Sequence, residues 1–130
     1  YKISAHILGD FVTENESSNV TKRIHSIAAI ERALEYIYNN YDQKLTVEEA
    51  AEVCGYSKSN FCKIFKNITG DTFHNVLNNH RVKIACTLLR NTDFSIEEIA
   101  TRVGFNGSKS FCRIFKDIKG VSPGTYRKNK

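Results

Sequence analysis

Three sets of side chains in this sequence have types and spacings that invite chemistry. Glu48 with Glu49 and Glu97 with Glu98 are paired carboxylates, the equipment of general acid and base work. His74, His80 and Cys86 are potential metal ligands, and Cys62 and Cys112 each stand among lysines that favour a thiolate. The third set is cationic: Lys58, Lys63 and Lys66 in one stretch, Lys109, Arg113, Lys116 and Lys119 in another. Spacing separates these possibilities. Both acid pairs fall in the first turn of an expected helix, where capping and the helix dipole account for them without catalysis. His74, His80 and Cys86 are spaced by six residues, neither i+3 nor i+4, so they share no helix face and no metal site is expected. Cys54 and Cys86 lie on apolar stripes and read as core. No nucleophile is paired with a base, so neither an enzyme nor a cofactor is expected.

The elements that must position the cationic residues are written twice. LTVEEAAEVCGY, Leu45 to Tyr56, aligns with FSIEEIATRVGF, Phe94 to Phe105, placing Ala51 on Ala100 and Gly55 on Gly104. One inserted residue later, FCKIFKNITG and FCRIFKDIKG agree at seven of ten positions. Each copy reads as helix, tight turn, helix. Thr46 and Ser95 are N-cap candidates, each with a glutamate three residues on as the returning half of a capping box. Val47, Ala50, Ala51 and Cys54, matched by Ile96, Ile99, Ala100 and Val103, form an i, i+3, i+4, i+7 stripe. In the second helix Phe61, Ile64, Phe65 and Ile68, matched by Phe111, Ile114, Phe115 and Ile118, form the buried face. Subtracting that face leaves the lysines and arginine outside, three net positive charges on each second helix once Asp117 is counted, with the other acids of the repeat held on the helix before.

Five further expectations complete the organisation. Thr72 to Arg90, without interior Gly or Pro, reads as one continuous helix of about 28 Å. Ile27, Ile30, Leu34, Ile37 and Tyr38 mark a helix from about Ser26 to Asn40, and Val121 to Tyr126 a short last one. ENESSN, Glu14 to Asn19, has linker composition. Ile3, Ile7, Leu8, Phe11 and Val12 form at most an amphipathic turn or two. The expected class is all-α, two helix-turn-helix subdomains joined by a linker helix, about seven helices in all. Its divisions are 1–24 as the tail of an upstream domain and linker, 25–71 and 92–130 as the two subdomains, and 72–91 as the linker helix.

Composition sets the outer bounds. The 130 residues carry 19 Lys and Arg against 14 Asp and Glu, a net charge of +5 at 41% hydrophobic content, which excludes collagen-like and disordered classes. No apolar run reaches the roughly 18 residues of a membrane span. Four cysteines without a CxxC fit a reducing cytoplasm better than a disulfide framework. With no Met in the sequence, the chain is expected to be a piece of a longer one that continues upstream. Cationic charge gathered on two equivalent helices is the footprint expected for a phosphate backbone. The alternative from the same residues is a helical protein-interaction scaffold without DNA specificity.

From about Ile30 to Lys128 the chain resembles the DNA-binding module of the AraC/XylS family of bacterial transcription regulators. The resemblance rests on LTVEEAAEVCGYSKSNFCKIFKNITG, HRVKIACTLL and IEEIATRVGFNGSKSFCRIFKDIKGVSPGTYR. The second copy departs from the family pattern at Gly107, Lys109 and Ser110, where the family usually has Asp, Ser and Tyr. The resemblance implies double-stranded DNA as partner, activation of transcription, and contact with RNA polymerase. The residues then divide by chemistry. Ser59, Asn60 and Lys63 on the first second-helix, and Lys109, Ser110 and Arg113 on the other, are expected to read bases, Arg113 with the fork that matches guanine O6 and N7. Ser57, Lys58, Lys66, Ser108 and Lys116 are expected on phosphates. Because the reading residues differ between copies, the site should be asymmetric. Cys62 and Cys112 are expected as small contacts to a thymine methyl or a helix neighbour, with a redox role as the alternative. Arg81 is expected to join the two units by an ion pair, with a DNA contact as the alternative.

Overall fold

A computed structural model describes residues 14–129. Among them lie seven helices and no strand: α1 Glu14–Asn40, α2 Val47–Cys54, α3 Lys58–Thr69, α4 Phe73–Asn91, α5 Ile96–Arg102, α6 Ser108–Lys119 and α7 Pro123–Lys128. The apolar segment Ile3 to Val12 lies outside the described residues. Among the described residues helix α1 already runs at Glu14, well before Ser26, so the polar stretch Glu14–Asn19 is helical. Without Gly or Pro, such residues cost only a few tenths of a kcal/mol each in a helix, too little to stop one.

The helix starts follow the side chains expected to cap them. Thr46 closes a full capping box: its Oγ1 accepts from the Glu49 amide at 3.1 Å, and Glu49 Oε1 accepts from the Thr46 amide at 3.2 Å. Ser95 makes only half of one. Its Oγ accepts from the Glu98 amide, but the Glu98 carboxylate is taken by Arg102 one turn on, at 2.9 Å. Ser122 caps α7, with Pro123 in the first turn. Gly55 ends α2 in the left-handed region at φ 79°, which lets the Tyr56 amide reach back to the Ala51 carbonyl.

Two cores share one helix. Ala33, Ile37, Ala50, Phe61 and Phe65 pack with Phe73 and Leu77 from the start of α4. Val82, Ala85 and Leu89, further along α4, pack with Ile99, Ala100, Val103, Phe111 and Phe115. Rings knit each core: Phe61, Phe65 and Phe73 form a triangle with centroids 5.4 to 6.0 Å apart, and Phe105, Phe111, Phe115 and Tyr126 form a chain at 5.4 to 5.6 Å. Two residues expected on buried faces turn outward. Tyr38 is 49% exposed and packs on His80, and Ile118, in the last turn of α6 beyond Phe115, is 39% exposed.

Arg81, midway along α4, joins the two halves, though not by an ion pair. Its Nε donates to the Tyr41 carbonyl at 2.7 Å and its Nη2 to the Gln43 carbonyl at 2.8 Å, both in the loop between α1 and α2. On the other side its guanidinium lies 5.5 Å from the Phe105 ring centroid. Gly104, at φ 103°, sits against this contact so closely that a Cβ there would collide with the Tyr41 carbonyl oxygen.

Phe65 and Phe115 are fully buried. Phe65→Ala and Phe115→Ala are each expected to destabilise the protein by about 3–5 kcal/mol. Guanidinium unfolding measures this, and a loss under about 1 kcal/mol would mean that these rings do not anchor the helices.

Candidate nucleic-acid interface

Burial of the phenylalanine pairs fixes which side of α3 and α6 meets solvent. At 3.6 residues per turn, the side opposite Phe61 and Phe65 carries Ser59, Lys63 and Lys66, and the side opposite Phe111 and Phe115 carries Lys109, Arg113 and Lys116. All six are exposed. Asn60 is exposed on the flank of α3, whereas its counterpart Ser110 is half-buried and lines a cleft of about 420 Å³ with Lys44, Asn78, Arg81 and Asn106. The expected base-reading set is therefore divided, with Ser110 set between the two units.

The residues expected on phosphates are placed less uniformly. Ser57 is exposed and is the N-cap of α3, its Oγ accepting from the Asn60 amide at 3.3 Å. Ser108 is not its equivalent. It is half-buried and is the first residue of α6, while Gly107, in extended backbone at φ −173°, occupies the cap position and offers no side-chain acceptor. Lys58 is exposed but holds Glu48 Oε2 at 3.0 Å, and that hydrogen bond draws the Glu48 carboxyl below its ordinary pKa. Lys58 pairs with Glu48 and Arg102 with Glu98, while Lys63, Lys66, Lys109, Arg113 and Lys116 stand exposed outside these two pairs.

Two helical pairs with outward cationic second helices on one connecting helix are a tandem helix-turn-helix. A family profile described as "Helix-turn-helix domain" matches residues 50–129. The transposon Tn10 TetD protein of Escherichia coli is 34% identical over 122 residues, covering 90% of this chain and 88% of that protein. The chain belongs to the AraC family of helix-turn-helix DNA-binding domains. It is a DNA-binding transcription regulator of a non-enzymatic family. Among solved structures, the C-terminal domain of AraT, a response regulator from Geobacillus stearothermophilus, superposes with a TM-score of 0.76 at 35% identity, covering 78% of this chain and 85% of that one. The DNA-binding domain of AdpA, solved in complex with a target DNA, superposes with a TM-score of 0.69 at 29% identity, over 80% of this chain and 90% of that one. Other curated regulators are matched over less than half of their own length.

Within this AraC-family domain, two arginines that sequence spacing left unassigned bind structure. Arg127 donates to the Leu89 and Thr92 carbonyls at 3.2 and 3.1 Å, satisfying the end of α4. Arg102 lies over the Phe94 ring at 4.2 Å. The only sequence signal for such roles is an arginine falling near a helix C-terminus or an aromatic residue. His80 is held between the Tyr38 and Tyr41 rings, and burial lowers its pKa, with Lys83 adding to the effect. Among the described residues no three His, Cys, Asp or Glu gather as metal ligands, and no helix is long and apolar enough to cross a membrane.

The cysteines separate by burial. Cys54 donates to the Ala29 carbonyl at 3.0 Å and burial pushes its thiol pKa up, Cys86 is buried, Cys112 is half-buried, and Cys62 is exposed beside Lys63 and Lys66. A thiol reagent added to the folded protein is expected to label Cys62 first, Cys112 more slowly, and Cys54 and Cys86 only on unfolding. Mass spectrometry of timed samples reads the order, and early labelling of Cys54 would contradict the packing of α1 on α2.

Proposed function

We propose that this domain binds an asymmetric promoter site by placing α3 and α6 in two successive major grooves. The observation that carries the reading is the repeated outward cationic face, held at two points along one helix of 19 residues. That helix is about 28 Å long, close to the 34–36 Å of one DNA turn. Ser59, Asn60 and Lys63 read bases in one groove, and Lys109, Ser110 and Arg113 in the other, Arg113 by a bidentate contact to guanine. Ser57, Lys58, Lys66, Ser108 and Lys116 hold phosphates, Lys58 exchanging Glu48 for the backbone. The AdpA complex with its target DNA supports the partner.

The wider role rests on family membership. The domain acts in the cytoplasm as an activator that positions RNA polymerase. Curated regulators matched over less than half their length support an effector or dimerisation domain upstream, with residues 1–24 as its tail and linker, 25–71 and 92–130 as the two reading units and 72–91 as their connection.

Selection of bound sites from random DNA, followed by footprinting, is expected to show two protected grooves one turn apart on the same face. Protection confined to one groove would overturn the reading. If about seven phosphates are neutralised, log affinity falls with log salt at a slope of about −6. Arg113→Ala is expected to cost about 1–3 kcal/mol on the selected site and to relax one base position. Lys66→Ala should weaken all sequences alike and flatten the salt slope by about one. Titrations at several salt concentrations distinguish the two variants, and indifference to DNA sequence and salt would favour a protein-docking scaffold instead.

A further inference from the structure

We infer that Arg81 is a positioning residue that sets how many base pairs must separate the two half-sites. The inference rests on the two-groove reading above. The two cores draw on different stretches of α4, and Tyr41 packs against both. Apart from that Tyr41 packing, the units are joined along one helix, about whose ends they could pivot. Arg81 removes that freedom. It is 8% exposed and rises from the middle of α4 to fasten the Tyr41 and Gln43 carbonyls of the first unit, while its guanidinium also lies against Phe105 of the second. Gly104 completes the junction. Lacking a Cβ, it lets the turn of the second unit close onto the Tyr41 carbonyl, and a side chain there would also come within 2.9 Å of Arg81 Nε.

The junction bears on DNA because Gly104 and Phe105 are the turn that leads into α6 and Tyr41 to Gln43 the loop that leads into α2. Two backbone carbonyls and a planar fork leave little play: guanidinium donors fixed in one plane meet both oxygens at once, which a single ammonium on a flexible stem cannot do. A base pair inserted between the half-sites rotates one groove by about 35° relative to the other. A rigid protein cannot follow that rotation, whereas one that pivots can. The chain thus selects spacing as well as bases, and the residue responsible touches no DNA.

The test uses the duplex selected by the wild-type protein, the same duplex with one base pair inserted between half-sites, and the same duplex with one half-site scrambled. Wild type is expected to lose about ten-fold or more on insertion, comparable with a mismatch. Arg81→Lys is expected to reduce that loss to about two-fold while binding the scrambled duplex as wild type does, because a looser link lowers effective concentration but leaves each face intact. Gly104→Ala, which removes no donor but wedges the junction, should shift the preferred spacing or flatten the preference, and it serves where Arg81→Lys fails to fold by circular dichroism. If wild type itself tolerates the insertion within two-fold, or if the folded variant keeps the full ten-fold discrimination, the positioning role is overturned. Failure of wild type to select any duplex would instead sink the two-groove reading.

Discussion

Two phenylalanines one helical turn apart have to leave water in both α3 and α6, and the direction of every functional side chain on those helices follows from that. A twelve-residue helix is marginal alone, so its orientation is set by what it buries. Each buried Phe contributes about 1.5–3 kcal/mol, against about 0–1 kcal/mol for an exposed ion pair. The rings therefore decide and the lysines follow. Since Phe61 and Phe111 begin the same sequence of apolar positions, the cationic faces are equivalent without any contact between them. The charge is free to face a partner because it takes little part in holding the fold.

The arginines carry the opposite assignment. Arg81 and Arg127 each fasten two backbone carbonyls across 35 or more residues of chain, a use of the planar fork that lysine cannot match. Burial of Arg81 lowers its pKa, with Asp42 acting in the opposite sense, yet a guanidinium stays charged at any physiological pH. Its charge is compensated by carbonyl dipoles and the Phe105 ring. Arg81 and Arg127 thus serve joints within the fold, whereas Lys63, Lys66, Lys109 and Lys116 stay on the surface with Arg113.

This division also marks what could be read from the sequence. The repeat, the apolar stripes, the Thr46 box and the outward lysines are all local, set by spacings of three and four, and apart from Tyr38 and Ile118 each is found where the spacing puts it. What spacing does not carry is competition and distance. Glu98 had two partners within a turn, its own cap amide and Arg102, and only geometry shows which takes it. The acceptors of Arg81 are backbone oxygens nearly forty residues away, which leave no mark in residue types. The polar run Glu14–Asn19 has the polarity of a linker but residues that a helix tolerates. Ser108 shares its residue type with Ser57, although alignment on the phenylalanines pairs Ser57 with Gly107.

That last mismatch shows how two copies reach one geometry by different interactions. Helix α3 begins with a side-chain cap at Ser57, and Tyr56 before it reaches the Ser26 hydroxyl at 3.5 Å. Helix α6 has glycine at the cap, and replacing a capping serine by glycine costs only a few tenths of a kcal/mol. The place of Tyr56 is taken by Phe105, which packs on Phe111 at 5.4 Å and also meets Arg81. An apolar contact there does for α6 what a hydroxyl does for α3, and it couples the start of α6 to the joint between units. The start of the first reading helix is thus tied within its own unit, while the start of the second also touches the Arg81 junction, and in both it is the buried phenylalanine pair that holds the face.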